Sequence, residues 1–166
     1  MRKNTLHPQI EVLLDAIDLA FDHRAWHGPN LRGSIRGVSP REAAWRPGSG
    51  RHNIWELVVH AAYWKYAARR RLRGDRRGAF PLPGSNWFAR PAAADERQWR
   101  ADVALLEQEH RQLREAVQSF SHSRLHQRPA PTSSSYLDLI VGITFHDIYH
   151  AGQIQLLKRL YRARHG

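Results

Sequence analysis

Eleven histidines stand in a chain of 166 residues that contains no cysteine. Metal binding and proton transfer by imidazole are open to such a chain, whereas disulfides, Cys-ligated zinc, iron–sulfur clusters and thiol nucleophiles are not. Three histidine pairs are spaced four apart: His23/His27, His122/His126 and His146/His150. On a helix that spacing puts both imidazoles on one face, where they can reach a single ion. With so many histidines some pairs arise by chance, so the segment around each pair must decide. His122 and His126 lie in a proline-bounded stretch without periodic apolar neighbours, which reads as a solvated pair. His23 and His27 fall in the expected last turn of the first helix and are weak candidates. His146 and His150 continue the rhythm Leu139, Ile143, His146, His150, Leu157, an inward seam of the last helix. Two imidazoles buried there need partners for their ring nitrogens. Hydrogen bonds would satisfy them, and so would a metal; spacing leaves both readings open.

Two ligands make a poor metal site, so a third should come from a facing helix. His60 closes the segment Ile54-Trp55-Glu56-Leu57-Val58-Val59-His60, off the centre of its apolar stripe and one turn before Trp64. His110 competes, because it replaces an apolar residue in the seam of the third helix; it also suits a structural histidine or a group behind the ligands. Gln153, one turn from His150, is a candidate to orient a ligand or bond a substrate. Glu56, one turn before His60, is a candidate for the same task and for the helix cap. Asp147 points roughly 100° away from His146 on a helical wheel, which places it in solvent or behind the ligands. Trp64, Tyr149 and Trp87 could wall a pocket, although aromatics at such spacings also build cores. Nothing in the pattern assigns a role to His27 or His52.

The elements that must hold these residues are helical throughout. Apolar residues Ile10, Leu13, Leu14, Ile17, Ala20 and Phe21 predict a first helix from Pro8 to about His27, with Thr5 as its cap and Gly28-Pro29 as its stop. Ser39-Pro40-Arg41-Glu42 predicts a short helical turn within the connector that follows. Asn53 with Glu56 forms a capping box for a second long helix, striped by Ile54, Leu57, Val58, Ala61, Trp64 and Ala68 and ending near Gly74. A loop of about twenty residues, with Phe80, Pro81, Pro83, Trp87, Phe88 and Pro91, separates it from the third, and loops of that length tend to be functional. The third helix opens at Asp95 and carries Trp99, Val103, Leu106, His110, Leu113, Val117 and Phe120. A second loop, Ser121 to Ser134 with Pro129 and Pro131, leads to a fourth helix from about Ser135 to Ala163. Four amphipathic helices with long loops between the second and third and between the third and fourth predict an all-α four-helix bundle, and the length predicts one domain over residues 1–166.

The formal charge is +11, and 23 of the 26 cations are arginine, the lysines being Lys3, Lys65 and Lys158. The run Arg69-Arg70-Arg71-Leu72-Arg73 raises affinity for polyanions in general. Without a recognition helix or a basic stripe interleaved with aromatics, specific nucleic-acid binding is not expected. A charged run at a helix C-terminus also complements the helix dipole. No apolar stretch is long enough to cross a bilayer, and the N-terminus lacks the apolar core of a signal peptide, so a soluble cytoplasmic protein is expected.

Three segments then carry a resemblance: Trp26-His27-Gly28-Pro29-Asn30-Leu31, His52-Asn53-Ile54-Trp55-Glu56-Leu57-Val58-Val59-His60, and His146-Asp147-Ile148-Tyr149-His150-Ala151-Gly152-Gln153-Ile154. In order and spacing over nearly the whole chain, the sequence resembles the DinB/YfiT-like superfamily of small four-helix-bundle metalloproteins. The resemblance implies a three-histidine metal site at His60, His146 and His150, with zinc or nickel as the divalent ion and open positions for water. It also implies a metal-dependent enzyme of the thiol S-transferase or hydrolase type, using a low-molecular-weight thiol or another small-molecule substrate, and a homodimer. The alternative is a non-catalytic metal-binding or nucleic-acid-associated bundle. Imidazole ligands suit several transition metals, so the residues themselves do not choose the ion.

Overall fold

A computed structural model of the chain describes residues 6–78, 80–129 and 133–166. Its long helices are α1 (Pro8–Phe21), α4 (Ile54–Arg73), α5 (Glu96–Gln118) and α6 (Tyr136–His165), with short helices α2 (Leu31–Ser34) and α3 (Pro40–Ala44) and a 3-10 turn at His122–Arg124. No strand occurs among the described residues. Helix α4 packs on α5 and α6, and α1 packs on the same two, so α1 and α4 stand at opposite corners of a four-helix bundle. Of the short helices, α2 lies against α6 and α3 against α4.

Expected caps start three of these helices, at Asn53, Asp95 and Ser39. Asn53 accepts from the Glu56 N–H at 2.8 Å while the Glu56 carboxylate reaches back to the Asn53 N–H at 3.4 Å, closing the box at α4. Ser135 and Asp138 do the same at α6, Asp95 caps α5, and Ser39 caps α3. Gly74 ends α4 in the left-handed conformation, at φ 77°, which a residue with a Cβ adopts only at a cost.

Helix α1 is shorter than its expected extent to His27. Phe21 is its last apolar residue, and the Asp22 and His23 N–H groups both turn back onto the Asp18 carbonyl, at 3.1 and 2.9 Å, which closes the helix. The expected cap Thr5 lies outside the described residues, as does Pro131; His7 caps α1 instead. Helix α2 was not anticipated. It forms because the Asn30 side chain accepts from the Gly33 N–H at 2.8 Å, and its C-terminal side is closed by Lys158. The buried Lys158 ammonium donates to the carbonyls of Ser34 (2.8 Å) and Arg36 (3.1 Å), fastening α6 to this turn.

Two apolar clusters fill the bundle. One joins Leu31, Trp55, Val58, Trp99, Leu106 and Ile154; the other joins Ile10, Leu14, Ile17, Leu113, Val117 and Ile140. On α4, α5 and α6 alike, buried polar residues fall between the members of the two clusters: Lys65, His110, and Asp147 with His150. Polar groups at such depth persist only where they satisfy one another or hold a ligand.

That layer decides between the two places open to Asp147. Asp147 does not face solvent; it is 1% exposed and forms an ion pair with the equally buried Lys65, Nζ to Oδ2 at 2.5 Å. The inward side of α6 is wider than the expected seam: Ile143, His150 and Leu157 are buried as expected, and Thr144, Asp147 and Ala151 are buried beside them.

His110 completes the layer. Its ring stacks on Phe21 at 3.6 Å between centroids, and Lys65 Nζ lies 3.4 Å from its Nδ1. Burial first, then the Lys65 charge, pushes its pKa down to about 2. The unfolded chain, titrating near 6.5, therefore binds more protons than the folded chain at any pH between those values. Stability is full above pH 6.5 and falls as pH drops below it; His110 alone should account for about 2 kcal/mol between pH 8 and pH 5. Urea unfolding of the wild type and His110→Phe at both pH values checks this. The variant should lose less stability on acidification by that amount.

Candidate metal centre

His60 sits in the second turn of α4, flanked by Val58, Val59, Ala61 and Ala62 of the first apolar cluster. His146 and His150 sit one turn apart on α6, so the α4–α6 contact brings the three together. The Nε2 atoms of His60 and His146 are 3.1 Å apart, and those of His150 and His146 are 3.0 Å apart. His60, His146 and His150 form a group able to hold a metal ion, with their ligand atoms all within 4.8 Å of one another.

Proton accounting shows what such a group wants. His60 Nδ1 donates to the Asn86 carbonyl at 2.8 Å, and His150 Nδ1 donates to Gln153 Oε1 at 2.6 Å. A neutral imidazole carries one ring proton, so both Nε2 atoms face the centre as bare acceptors. His146 can contribute at most one proton between two acceptors, and its own Nδ1 is buried with no hydrogen-bond partner among the described residues. Protonating the rings is no remedy. Burial is the largest influence on all three: it lowers His60 to about 4 and His146 to about 3, and it lowers His150 as well. Neutral imidazoles with converging lone pairs are the donor set of a divalent transition metal. Three nitrogens bound at about 2.1 Å lie about 3.0 Å apart for right-angled bonds and about 3.4 Å apart for tetrahedral ones. The His60–His146 and His146–His150 separations match right-angled bonds, and the third pair lies within 4.8 Å.

The loop between α4 and α5 forms the outer wall. Asn86 is the one non-glycine residue with positive φ among the described residues, at 65°. That conformation, which asparagine tolerates better than most, turns its carbonyl onto His60 while its side chain accepts from Trp64 Nε1 at 2.9 Å. Trp87 then stacks flat on His60 at 3.8 Å and on His52 at 3.6 Å, so a three-ring column leads from the site to the surface. The long loop expected to be functional thus supplies the residues that orient a candidate ligand and shield it from water.

The other candidates are distributed unevenly. Gln153 orients His150 directly. Glu56 makes the α4 cap, pairs with Arg46, and bonds His52 Nδ1 at 3.0 Å, reaching the site only through the His52–Trp87 stack. His110 lies behind Lys65, which in turn pairs with the residue after His146. Trp64 lines a cavity that His146 also borders, whereas Tyr149 is exposed beside His150. His27, His122 and His126 are exposed and apart from the cluster, and His23 pairs with Asp22 at the surface. Asn86 and Lys65 escaped the sequence reading. The first had only its tolerance of positive φ to mark it, and the second only its being a lysine in an arginine-rich chain.

The sequence model of the DinB superfamily matches residues 23–154, a span that contains all three clustered histidines, Asn86 and Gln153. No curated protein and no solved structure matches the chain.

Proposed function

The chain belongs to the DinB superfamily, and on that premise we propose that His60, His146 and His150 hold a catalytic zinc or nickel ion in an enzyme acting on a small molecule by thiol transfer or hydrolysis. The observation that carries this reading is the meeting of three Nε2 atoms, two of them deprived of their proton by Asn86 and Gln153. Three protein ligands with further positions open is the pattern of catalytic metal sites, since structural ones are closed by four. Once bound, the ion supplies Lewis acidity, which lowers the pKa of a thiol or water toward neutrality. The chain's own residues do the rest. Asn86 and Gln153 fix the two ring tautomers, Trp87 keeps water off the flat face of His60, and Trp64 borders the open side next to His146.

Elemental analysis of the purified protein tests the reading. One equivalent of zinc or nickel per chain is expected, restored to the same level after chelation and reloading. A chain that takes up no divalent ion at micromolar concentrations would remove the basis of the proposal.

The partners behind the ligands give a second measurement. In Asn86→Ala the left-handed backbone is disfavoured by about 1 kcal/mol and Trp64 loses its acceptor, so His60 is less well aimed. Zinc affinity from chelator competition should fall about tenfold. Asn86→Gly, which keeps the backbone conformation, should fall less. Equal affinities across all three proteins would deny Asn86 this part.

A further inference from the structure

The arginine run at the end of α4 is mostly consumed by the fold. Arg69 Nε donates to Glu109 at 3.2 Å, Arg70 Nη1 donates to the Asp75 carbonyl at 3.1 Å, and Arg73 lies 3.9 Å from Glu115. Arg71 is the exception: it is half-buried, and no hydrogen bond or ion pair reaches its guanidinium among the described residues. Helical spacing puts Arg71 on the same face of α4 as Trp64 and Ala68. All three border a cavity of about 270 Å³ whose facing wall is α6, through Leu139, Ile143 and His146. The cavity therefore starts beside His146, runs between apolar walls, and has at its other end a cation with no partner among the described residues.

A half-buried guanidinium without a partner is unfavourable in the free protein, and its planar fork matches a carboxylate. The number of charges available argues for a monoanion. Asp138 also borders the cavity, but its carboxylate is engaged by the Ser135 N–H at 2.8 Å, so the lining suits neither a diphosphate nor another polyanion. Trp64 lies beside His146, ring centroids 6.4 Å apart, and Arg71 is two turns further along α4, about 10 Å. Resting on the metal reading above, we infer that the substrate is an amphiphilic carboxylate of medium length: its reacting end at the three histidines, its apolar body along Trp64, Leu139 and Ile143, and its carboxylate on Arg71.

The test uses cobalt-loaded protein titrated with 8-mercaptooctanoate and with 8-mercaptooctanol, whose chains cover about that distance and differ at the far end alone. Thiolate coordination is followed by the sulfur-to-cobalt charge-transfer band. The acid should bind about tenfold more tightly than the alcohol, the preference vanishing in Arg71→Gln and returning in part in Arg71→Lys. Equal binding of the two by the wild type, or an unchanged preference in Arg71→Gln, overturns the inference. If neither thiol produces the band, calorimetry with octanoate and octanol takes its place. An Arg71-dependent preference for octanoate would then uphold the carboxylate subsite while refuting thiol coordination, and its absence would refute the subsite.

Discussion

Replacing His146 with alanine is expected to lower zinc affinity by at least about a hundredfold, a larger loss than any change outside the three histidines should cause. His146 is the hinge of the cluster: both short nitrogen separations involve its Nε2. Without it His60 and His150 remain, each held by its own partner, and two imidazoles leave most of the coordination sphere to water. The apo protein should tell the opposite story. His146 is half-buried, its Nδ1 is orphaned, and its pKa is depressed mainly by burial, so losing it removes a group that the fold satisfies poorly without an ion. Apo stability should therefore hold or rise slightly, while the extra stability that zinc confers on the wild type, which grows as RT ln(1 + [Zn]/Kd), should largely disappear. Thermal melts with and without zinc, together with chelator competition, separate the two effects. A variant that keeps wild-type affinity would show that the histidines meet for a reason other than metal.

The histidines were legible because helices carry their own ruler. A spacing of four within an apolar rhythm on α6, a stripe around His60 and a sound cap at Asn53 place these residues on helices before any packing is known. The way α6 is turned was not legible. Apolar residues occur all round it, with Phe145, Tyr149 and Leu156 well exposed, so periodicity does not say which side faces inward, and it leaves Asp147 between solvent and a place behind the ligands. Asn86 was hidden for a different reason. Its contribution is a backbone carbonyl, aimed by a local φ of 65° and by a contact with Trp64 that is distant in sequence, and no residue pattern encodes where a loop carbonyl will point. Glu56 shows the converse: its capping box is visible in the sequence, whereas its pairing with Arg46 and its link to the site through His52 and the stacked Trp87 depend on contacts that only the fold brings together.

The Lys65–Asp147 pair should have the largest effect on stability. The two side chains are 1% and 2% exposed, and the Asp147 Oδ1 has no partner among the described residues. Truncating one member of such a pair leaves the other charge stranded in an apolar interior, which costs about 3–5 kcal/mol. Lys65→Met should destabilise by that order at pH 7, by urea unfolding. The penalty should shrink as pH falls, because burial already raises the Asp147 pKa and a neutral carboxyl tolerates the site. Lys65→Met with Asp147→Leu removes both charges and should recover most of the loss, since well-packed apolar replacements of buried pairs are often neutral. The pair does more than hold the helices together: it joins α4 and α6 at the residue after His146 and one turn beyond His60. The double variant should therefore fold stably yet bind zinc more weakly than the wild type, by about tenfold, because apolar contact sets helix register less strictly than a single ion pair. Recovered stability with undiminished zinc affinity would show that the register of the metal ligands is set by the apolar clusters alone.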